Sequence, residues 1–247
     1  MTAPLHVRED GPSDAPVVLL VHGFSGSLRS YDRLVPLLAE DYRVVRVDLR
    51  GHGSTGGHTG LDALSQASAV ANVLEVLGCS AVTAVGHSFG ADVVLALAER
   101  TGLVERVVVI GQAPDYSYAT FPPGHGLLPL VGGPLRLLAA SPFLRRFDLV
   151  ADFAVSSPAM DRTVLVDRRR VLAARPLDVQ LRELGLPALV ILGARDSLYD
   201  CAKTATRYAA AGARVEVVAN AGHSVASTRP AEVALLLRKL LVSGYDG

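Results

Sequence analysis

The sequence predicts an α/β protein with a doubly wound, mostly parallel β-sheet that is flanked by helices and carries a helical cap insertion. Short, continuous runs of β-branched residues recur along the chain, and uninterrupted apolarity is typical of strands that are buried on both faces. Segments with apolar residues at helical spacing separate these runs, and this alternation favours a parallel sheet. Half of the 247 residues are hydrophobic, so the chain can bury a sizeable core.

The predicted strands share a short, apolar, β-branched composition. They cover residues 5–9, 16–21, 43–48, 81–85, 106–110, 188–192 and 214–218. Apolar residues recur at helical spacing within 31–38, 70–77 and 233–240. Pro36 predicts a kink or break in the first of these helices, and Gly78 predicts the C-terminal cap of the second.

One region interrupts the alternation. Residues 113–178 are rich in proline and contain apolar clusters such as GLLPLVGGPLRLLAASPFLRRF, too hydrophobic for a disordered linker. We therefore predict a single domain over 1–247 with a cap of short helices inserted at about 113–178, after the fifth strand. Its leucines (Leu127, Leu128, Leu130, Leu135, Leu137 and Leu138) predict an aliphatic wall and a small, apolar substrate.

Charge and composition exclude several classes of partner. Lys plus Arg and Asp plus Glu number 24 each, so no net charge favours nucleic acid or an anionic membrane. No apolar run reaches the length of a membrane span, and the N-terminus lacks the pattern of a signal peptide. The two cysteines fit a reducing compartment. We expect a cytoplasmic protein; the sequence does not specify an oligomeric state.

The pentapeptide Gly86-His87-Ser88-Phe89-Gly90 lies between a predicted strand and a predicted helix. In this context Gly-x-Ser-x-Gly forms a sharp turn that raises the serine hydroxyl above the carboxyl ends of the strands. The following helix adds free N–H groups and a positive partial charge. Ser88 is therefore the candidate nucleophile.

A serine nucleophile needs a base and a group that orients the base. Asp196 follows the strand at 188–192, and His223 follows the strand at 214–218. The order Ser88, Asp196, His223 is the order expected for a triad in this architecture. Asp115, which follows the strand at 106–110, is a rival acid, but we favour Asp196.

The loop His22-Gly23-Phe24-Ser25-Gly26 follows the strand at 16–21 and can bring its backbone close to the serine. The N–H groups of Phe24 and Phe89 are the candidate donors to a developing oxyanion.

Five motifs, in order, carry a resemblance to a known family: HGF (22–24), DLRGHGST (48–55), GHSFG (86–90), GARDS (193–197) and AGHS (221–224). With them the chain resembles α/β-hydrolase-fold proteins of the small, capped, esterase-like and lipase-like kind. Its short N-terminus departs from that pattern, since it leaves little room for the usual first hairpin.

We therefore expect a serine hydrolase that cleaves a carboxylic ester, lactone or thioester through an acyl-enzyme, with no cofactor. Carbon–carbon bond hydrolases and type II thioesterases reuse the same triad. Biosynthetic lyases or cyclases and ligand receptors also share the fold, so fold alone does not decide among them. A serine nucleophile disfavours the epoxide hydrolase and haloalkane dehalogenase branches.

The remaining polar residues have simpler interpretations. His22 and His52 are expected to brace loops, and His87 occupies the variable position of the elbow. No carboxylate or thiolate cluster accompanies His52 and His58, so we expect no metal site. The run at 167–170 is interpreted as a solvated helix face, with binding of an acidic substrate as the alternative. Cys79 and Cys201 are expected to be inert.

Overall fold

The structure, a computed structural model, describes residues 4–120, 128–141, 154 and 156–242, and the side chains of these residues except 128–133. Seven strands form one sheet: β1 (His6–Asp10), β2 (Val17–Val21), β3 (Arg43–Asp48), β4 (Val82–His87), β5 (Val104–Ile110), β6 (Ala188–Gly193) and β7 (Arg214–Val218). All seven predicted strands are present, with ends that move by one or two residues. The difference that matters most for the site is at β4, which extends two residues beyond its predicted end, to His87, and so ends directly before the candidate nucleophile.

The strand order is β1-β3-β2-β4-β5-β6-β7. β1 pairs antiparallel to β3, and all the other pairs are parallel. The predicted doubly wound sheet is therefore confirmed. β1 is the edge strand of the sheet on this side. The carboxyl ends of β4, β6 and β7 lie at one edge of the sheet, which brings residues distant in sequence together there.

Both faces of the sheet are covered. Leu19 and Val21 of β2 belong to one hydrophobic cluster, whereas Val18 and Leu20 belong to the other. Because successive side chains of a strand point to opposite faces, this division explains the continuous apolar sequence of the strand.

The helices are α1 (Ala63–Val76), α2 (Phe89–Arg100), α3 (Leu128–Ala139), α4 (Pro158–Arg162), α5 (Arg168–Ala174), α6 (Leu177–Leu184), α7 (Cys201–Ala210), α8 (Val225–Thr228) and α9 (Pro230–Val242). The segment around Pro36 forms two short 3-10 turns, Leu28–Tyr31 and Val35–Leu37, as the predicted break requires. Gly78 follows α1 with a φ of 68°, the left-handed conformation of a C-terminal cap.

The predicted cap region contains short helices where it is described, namely α3, α4, α5 and a π-helical turn at Thr163–Asp167. Residues 121–127, 142–153 and 155 of this region lie outside the described residues, as do the side chains of Leu127, Leu128 and Leu130. Leu135, Leu137 and Leu138 are 42%, 79% and 64% exposed, so these three leucines do not form the predicted enclosed wall. Among the described helices, none has the length and apolar character needed to cross a bilayer.

Candidate active site

Ser88 lies in a strained turn between β4 and α2. Its φ of 50° and ψ of −121° fall in a region that L-residues rarely occupy, and such a conformation costs about 1–3 kcal/mol. A Cβ atom at Gly86 would collide with the backbone of Gly90, and one at Gly90 would collide with the carbonyl of Val21. The two glycines therefore permit the close packing that holds the strained serine in place.

Asp196 and His223 are in direct contact. Asp196 Oδ2 lies 2.9 Å from His223 Nδ1, and the backbone N–H of Leu198 donates to Asp196 Oδ1 at 2.8 Å. The carboxylate is 4% exposed and the imidazole 19%. Since an ionised carboxylate only accepts hydrogen bonds, this contact assigns the proton to Nδ1 and leaves Nε2 as the basic atom.

Backbone contacts join the loops that carry these two residues. The N–H of Arg195 donates to the carbonyl of Ala221 at 2.8 Å. Gly193 lies so close to the backbone of Gly222 that a Cβ atom would not fit. The spacing between Asp196 and His223 is therefore fixed by main chain as well as by side chains.

The serine and the histidine are not hydrogen-bonded to each other in the described part of the chain. Such contacts are often long before substrate binds and tighten in the reacting complex. The neighbour of Ser88 does reach His223: His87 Nε2 lies 3.1 Å from the carbonyl oxygen of His223.

The rival acid Asp115 has other partners. Its carboxylate accepts hydrogen bonds from Arg207 Nη1 at 2.8 Å and from the N–H of Ser117 at 2.7 Å. Burial opposes ionisation of Asp115, but the hydrogen bonds from Ser117 and Arg207 outweigh it and lower the pKa of the carboxyl group. Asp115 thus belongs to an ion pair beside α7 rather than to His223.

The loop after β2 packs directly on the elbow. A Cβ atom at Gly23 would lie 2.9 Å from both Ser88 Cβ and the His87 carbonyl, so only glycine allows this approach. Phe24 is the next residue after Gly23, and Phe89, the first residue of α2, directly follows Ser88. Their positions are compatible with the oxyanion role that the sequence predicts for their N–H groups.

Two histidines brace this loop. His22 Nδ1–H donates to the carbonyl of Gly23 at 2.8 Å, while its Nε2 accepts a hydrogen bond from the N–H of Leu49 at 3.0 Å. His52 Nε2 accepts the N–H of Ser25 at 3.3 Å. Burial, reinforced by His22, lowers the pKa of His52 to about 3, so His52 stays neutral and can accept that bond.

The surroundings of the histidines and cysteines show which of them could act as metal ligands. His58 Nδ1 lies 2.9 Å from Ser157 Oγ, whereas His52 Nε2 accepts the N–H of Ser25. Across the described residues, no group of three or more His, Cys, Asp or Glu side chains is arranged to hold a metal ion. Burial raises the thiol pKa of both Cys79 and Cys201, which keeps them protonated.

The interpretation of 167–170 as a solvated helix face is wrong for Arg168. Its side chain is 5% exposed and forms a two-point ion pair with Asp92 of α2. It also donates to the hydroxyl of Tyr116 at 3.0 Å. The sequence signal for this buried pair was Asp92, an acidic residue in the otherwise apolar first part of the helix FGADVVLALAER.

Comparison with known proteins identifies the family. A family model described as "Alpha/beta hydrolase family" matches residues 18–235. The chain is 35% identical over 112 residues, 44% of its length, to 2-(acetamidomethylene)succinate hydrolase from Mesorhizobium japonicum, of which the match covers 40%. The chain therefore spans well under half of the length of this relative, and a second curated relative is matched over 39% of its length.

Solved structures show the same fold over nearly the whole chain. An esterase from Rhodococcus sp. ECU1013 superposes with a TM-score of 0.76 at 21% identity, covering 98% of this chain and 99% of that one. The N-acyl homoserine lactonase AidH superposes with a TM-score of 0.79 at 20% identity, covering 98% and 94%. Identities this low establish the fold alone. Together with the family match, the described sheet shows that the chain belongs to the alpha/beta hydrolase family.

Proposed function

We propose that this chain is a serine hydrolase that cleaves a carboxylic ester, lactone or thioester through an acyl-enzyme. One observation carries the proposal: the residue directly before a strained serine at a strand–helix turn contacts a histidine whose Nδ1 is 2.9 Å from a buried aspartate. The esterase and lactonase names of structural neighbours are compatible with it, as is the hydrolase name of a sequence relative.

In the proposed first half-reaction, Ser88 Oγ attacks the carbonyl carbon while its proton passes to His223 Nε2. Asp196 holds the imidazole and stabilises its cationic form. The N–H groups of Phe24 and Phe89 stabilise the tetrahedral oxyanion. When the intermediate collapses, the bond to the leaving group breaks and His223 donates its proton to the departing alcohol or thiol.

In the second half-reaction, His223 takes a proton from water as the water oxygen attacks the acyl-enzyme. Collapse of that intermediate breaks the bond to Ser88 Oγ and releases the carboxylic acid, and His223 returns the proton to the serine. Every proton passes through His223, from Ser88 to the leaving group in the first half-reaction and from water to Ser88 in the second, so the mechanism calls for no cofactor.

The substrate we propose is a small, neutral molecule with an apolar acyl group. Arg168, a buried cation of the cap, is already paired with Asp92. It therefore offers no free positive charge to a substrate carboxylate.

A fluorophosphonate probe tests this function without knowledge of the natural substrate, because it reacts with an activated serine and mimics acyl transfer. We expect one adduct by intact-protein mass spectrometry, mapped to Ser88, and none in Ser88→Ala or His223→Ala. Loss of the triad nucleophile should lower turnover of an aryl ester by about 10³-fold or more.

The matched control is Ser68→Ala, which replaces a half-buried serine of α1 whose hydroxyl only bonds the carbonyl of Leu64. It should label and turn over like the wild type. Turnover in Ser88→Ala above roughly a tenth of the wild-type rate would overturn the proposed function. So would labelling without any ester turnover, the result expected of a receptor that retained the triad.

A further inference from the structure

His87 is the last residue of β4 and directly precedes Ser88. Its imidazole ring lies 4.9 Å from that of His223, centroid to centroid, with 54° between the ring planes. Its Nε2 lies 3.1 Å from the carbonyl oxygen of His223. Neither the Gly-x-Ser-x-Gly pattern nor the proposed mechanism gives this side chain a role.

The protonation state of His87 follows from its surroundings. Burial lowers the pKa of His87 to about 3, and the neighbouring His223 shifts it in the same direction. The ring is therefore neutral near pH 7 and carries one N–H. Because a carbonyl oxygen can only accept, that proton belongs on Nε2, where it is donated to His223.

The carbonyl of His223 is enclosed from three sides. His87 donates from the end of β4, and the N–H of Val225 donates from the start of α8 at 3.1 Å. Gly111, at the end of β5, has a φ of 60°, and a Cβ atom there would lie 2.6 Å from the same oxygen. The main chain of the base is thus held against the ends of two central strands.

We propose that His87 is a positioning residue: its Nε2–H bond to the His223 carbonyl places the imidazole of His223 relative to Ser88. The inference rests on the proposed function, since it assumes that His223 serves Ser88. Because His87 and Ser88 are consecutive, the strand end that presents the nucleophile also holds the loop of the base. A displacement of about 1 Å between reacting groups can cost about 10²-fold in rate, so the hydrogen bond affects turnover more than substrate binding.

Two substitutions at position 87 separate this role from simple packing. His87→Gln keeps an N–H donor at a similar distance from the backbone, whereas His87→Met keeps the volume and loses the donor. We expect kcat for an aryl ester to fall between about 10-fold and about 100-fold in His87→Met, with KM changed less than about threefold. His87→Gln should recover most of kcat, and the rate of fluorophosphonate labelling should follow the same order.

A second substitution reaches the same carbonyl and leaves residue 87 unchanged, with the added Cβ atom at van der Waals distance, 3.4 Å, from the His87 ring. Gly111→Ala should push the His223 backbone away and lower kcat with KM little changed, even if His87→Met fails to fold. Val233→Ala, which opens a small cavity at a fully buried position of α9, serves as the stability control. It should lower the melting temperature and leave kcat unchanged at 25 °C.

The outcomes are distinguishable. Equal kcat values in His87→Met and His87→Gln, together with a normal kcat in Gly111→Ala, would overturn the positioning role while labelling of wild-type Ser88 still supported the hydrolase. Absence of labelling in the wild type would overturn both proposals. A kcat loss in Val233→Ala as large as that in His87→Met would assign the effect to stability and would also overturn the role.

Discussion

Arg168 and Asp92 form a buried, two-point ion pair that joins the cap to the helix that begins directly after the candidate nucleophile. Arg168 Nε and Nη2 each lie 2.7 Å from one carboxylate oxygen of Asp92, and both side chains are about 5–6% exposed. Burial alone would lower the pKa of Arg168, but the charge of Asp92 outweighs it and raises the pKa, which keeps the guanidinium ionised. The pair therefore connects α5 to the first turn of α2.

Loss of Arg168 should destabilise the protein strongly. Arg168→Met leaves the Asp92 carboxylate buried without its partner, which should cost about 3–5 kcal/mol in the free energy of unfolding. The control is Arg169→Ala, an exposed neighbour in the same arginine run, for which a change within about 0.5 kcal/mol is expected. Urea denaturation measures both, and equal effects of the two substitutions would contradict a stabilising ion pair.

Substitution of the two candidate acids, Asp196 and Asp115, should affect the activity to very different extents. In the proposed mechanism Asp196 stabilises the His223 imidazolium, so we expect Asp196→Asn to lower kcat/KM for an aryl ester by about 10³-fold or more. Asp115→Asn weakens the contact with Arg207 instead, and should lower the melting temperature more than the activity. If Asp115→Asn were the inactive variant, the acid of the triad would be assigned wrongly.

Two buried histidines predict a loss of stability in mild acid. The pKa values of His87 and His52 are lowered from 6.5 to about 3, so between these values the unfolded chain binds more protons than the folded one. The free energy of unfolding should therefore fall as the pH decreases from 7 to 5, by about 2 kcal/mol for each histidine.

Denaturation of His87→Gln over the same pH range isolates one of these contributions. The substitution removes the titrating group at position 87, so the pH dependence should be weaker than in the wild type by about 2 kcal/mol. An identical pH dependence in the two proteins would mean that His87 is not held neutral by the fold.

Substrate charge gives a further test of the cap. Arg168 is neutralised by Asp92, and Arg169 stacks on the ring of Tyr116, 5.3 Å from its centroid. We therefore expect kcat/KM for a neutral alkanoyl ester to exceed that for a dicarboxylate monoester by about tenfold or more, because an unpaired anion is costly to desolvate. A preference for the dicarboxylate that disappeared in Arg169→Ala would instead indicate an acidic substrate.

Local chemistry predicted much of the site. The continuous apolar strands, the glycines around Ser88 and the polar residues after β6 and β7 each leave a signal within a few positions of the sequence. These signals were sufficient to predict the sheet and the pairing of Asp196 with His223. In the structure, Asp196 Oδ2 lies 2.9 Å from His223 Nδ1. Strand ends of a parallel sheet converge at one edge, so residues 27 positions apart meet there.

Other relationships needed tertiary contacts that no local pattern encodes. The arginine run at 167–170 has the composition of a solvated face, and only the packing of α5 on α2 buries Arg168 against Asp92. His87 fills the variable position of its motif, and its contact with His223 depends on where a loop 136 residues later returns to the sheet.

The sequence by itself therefore determined which residue types lie at each strand end, because strand formation and turn chemistry depend on near neighbours. Tertiary structure alone decided which of those residues share a hydrogen bond or an ion pair. The physical reason is desolvation, which occurs only when distant segments pack together. Desolvation strengthens a buried hydrogen bond or ion pair, and it makes a buried polar group without a partner costly in free energy.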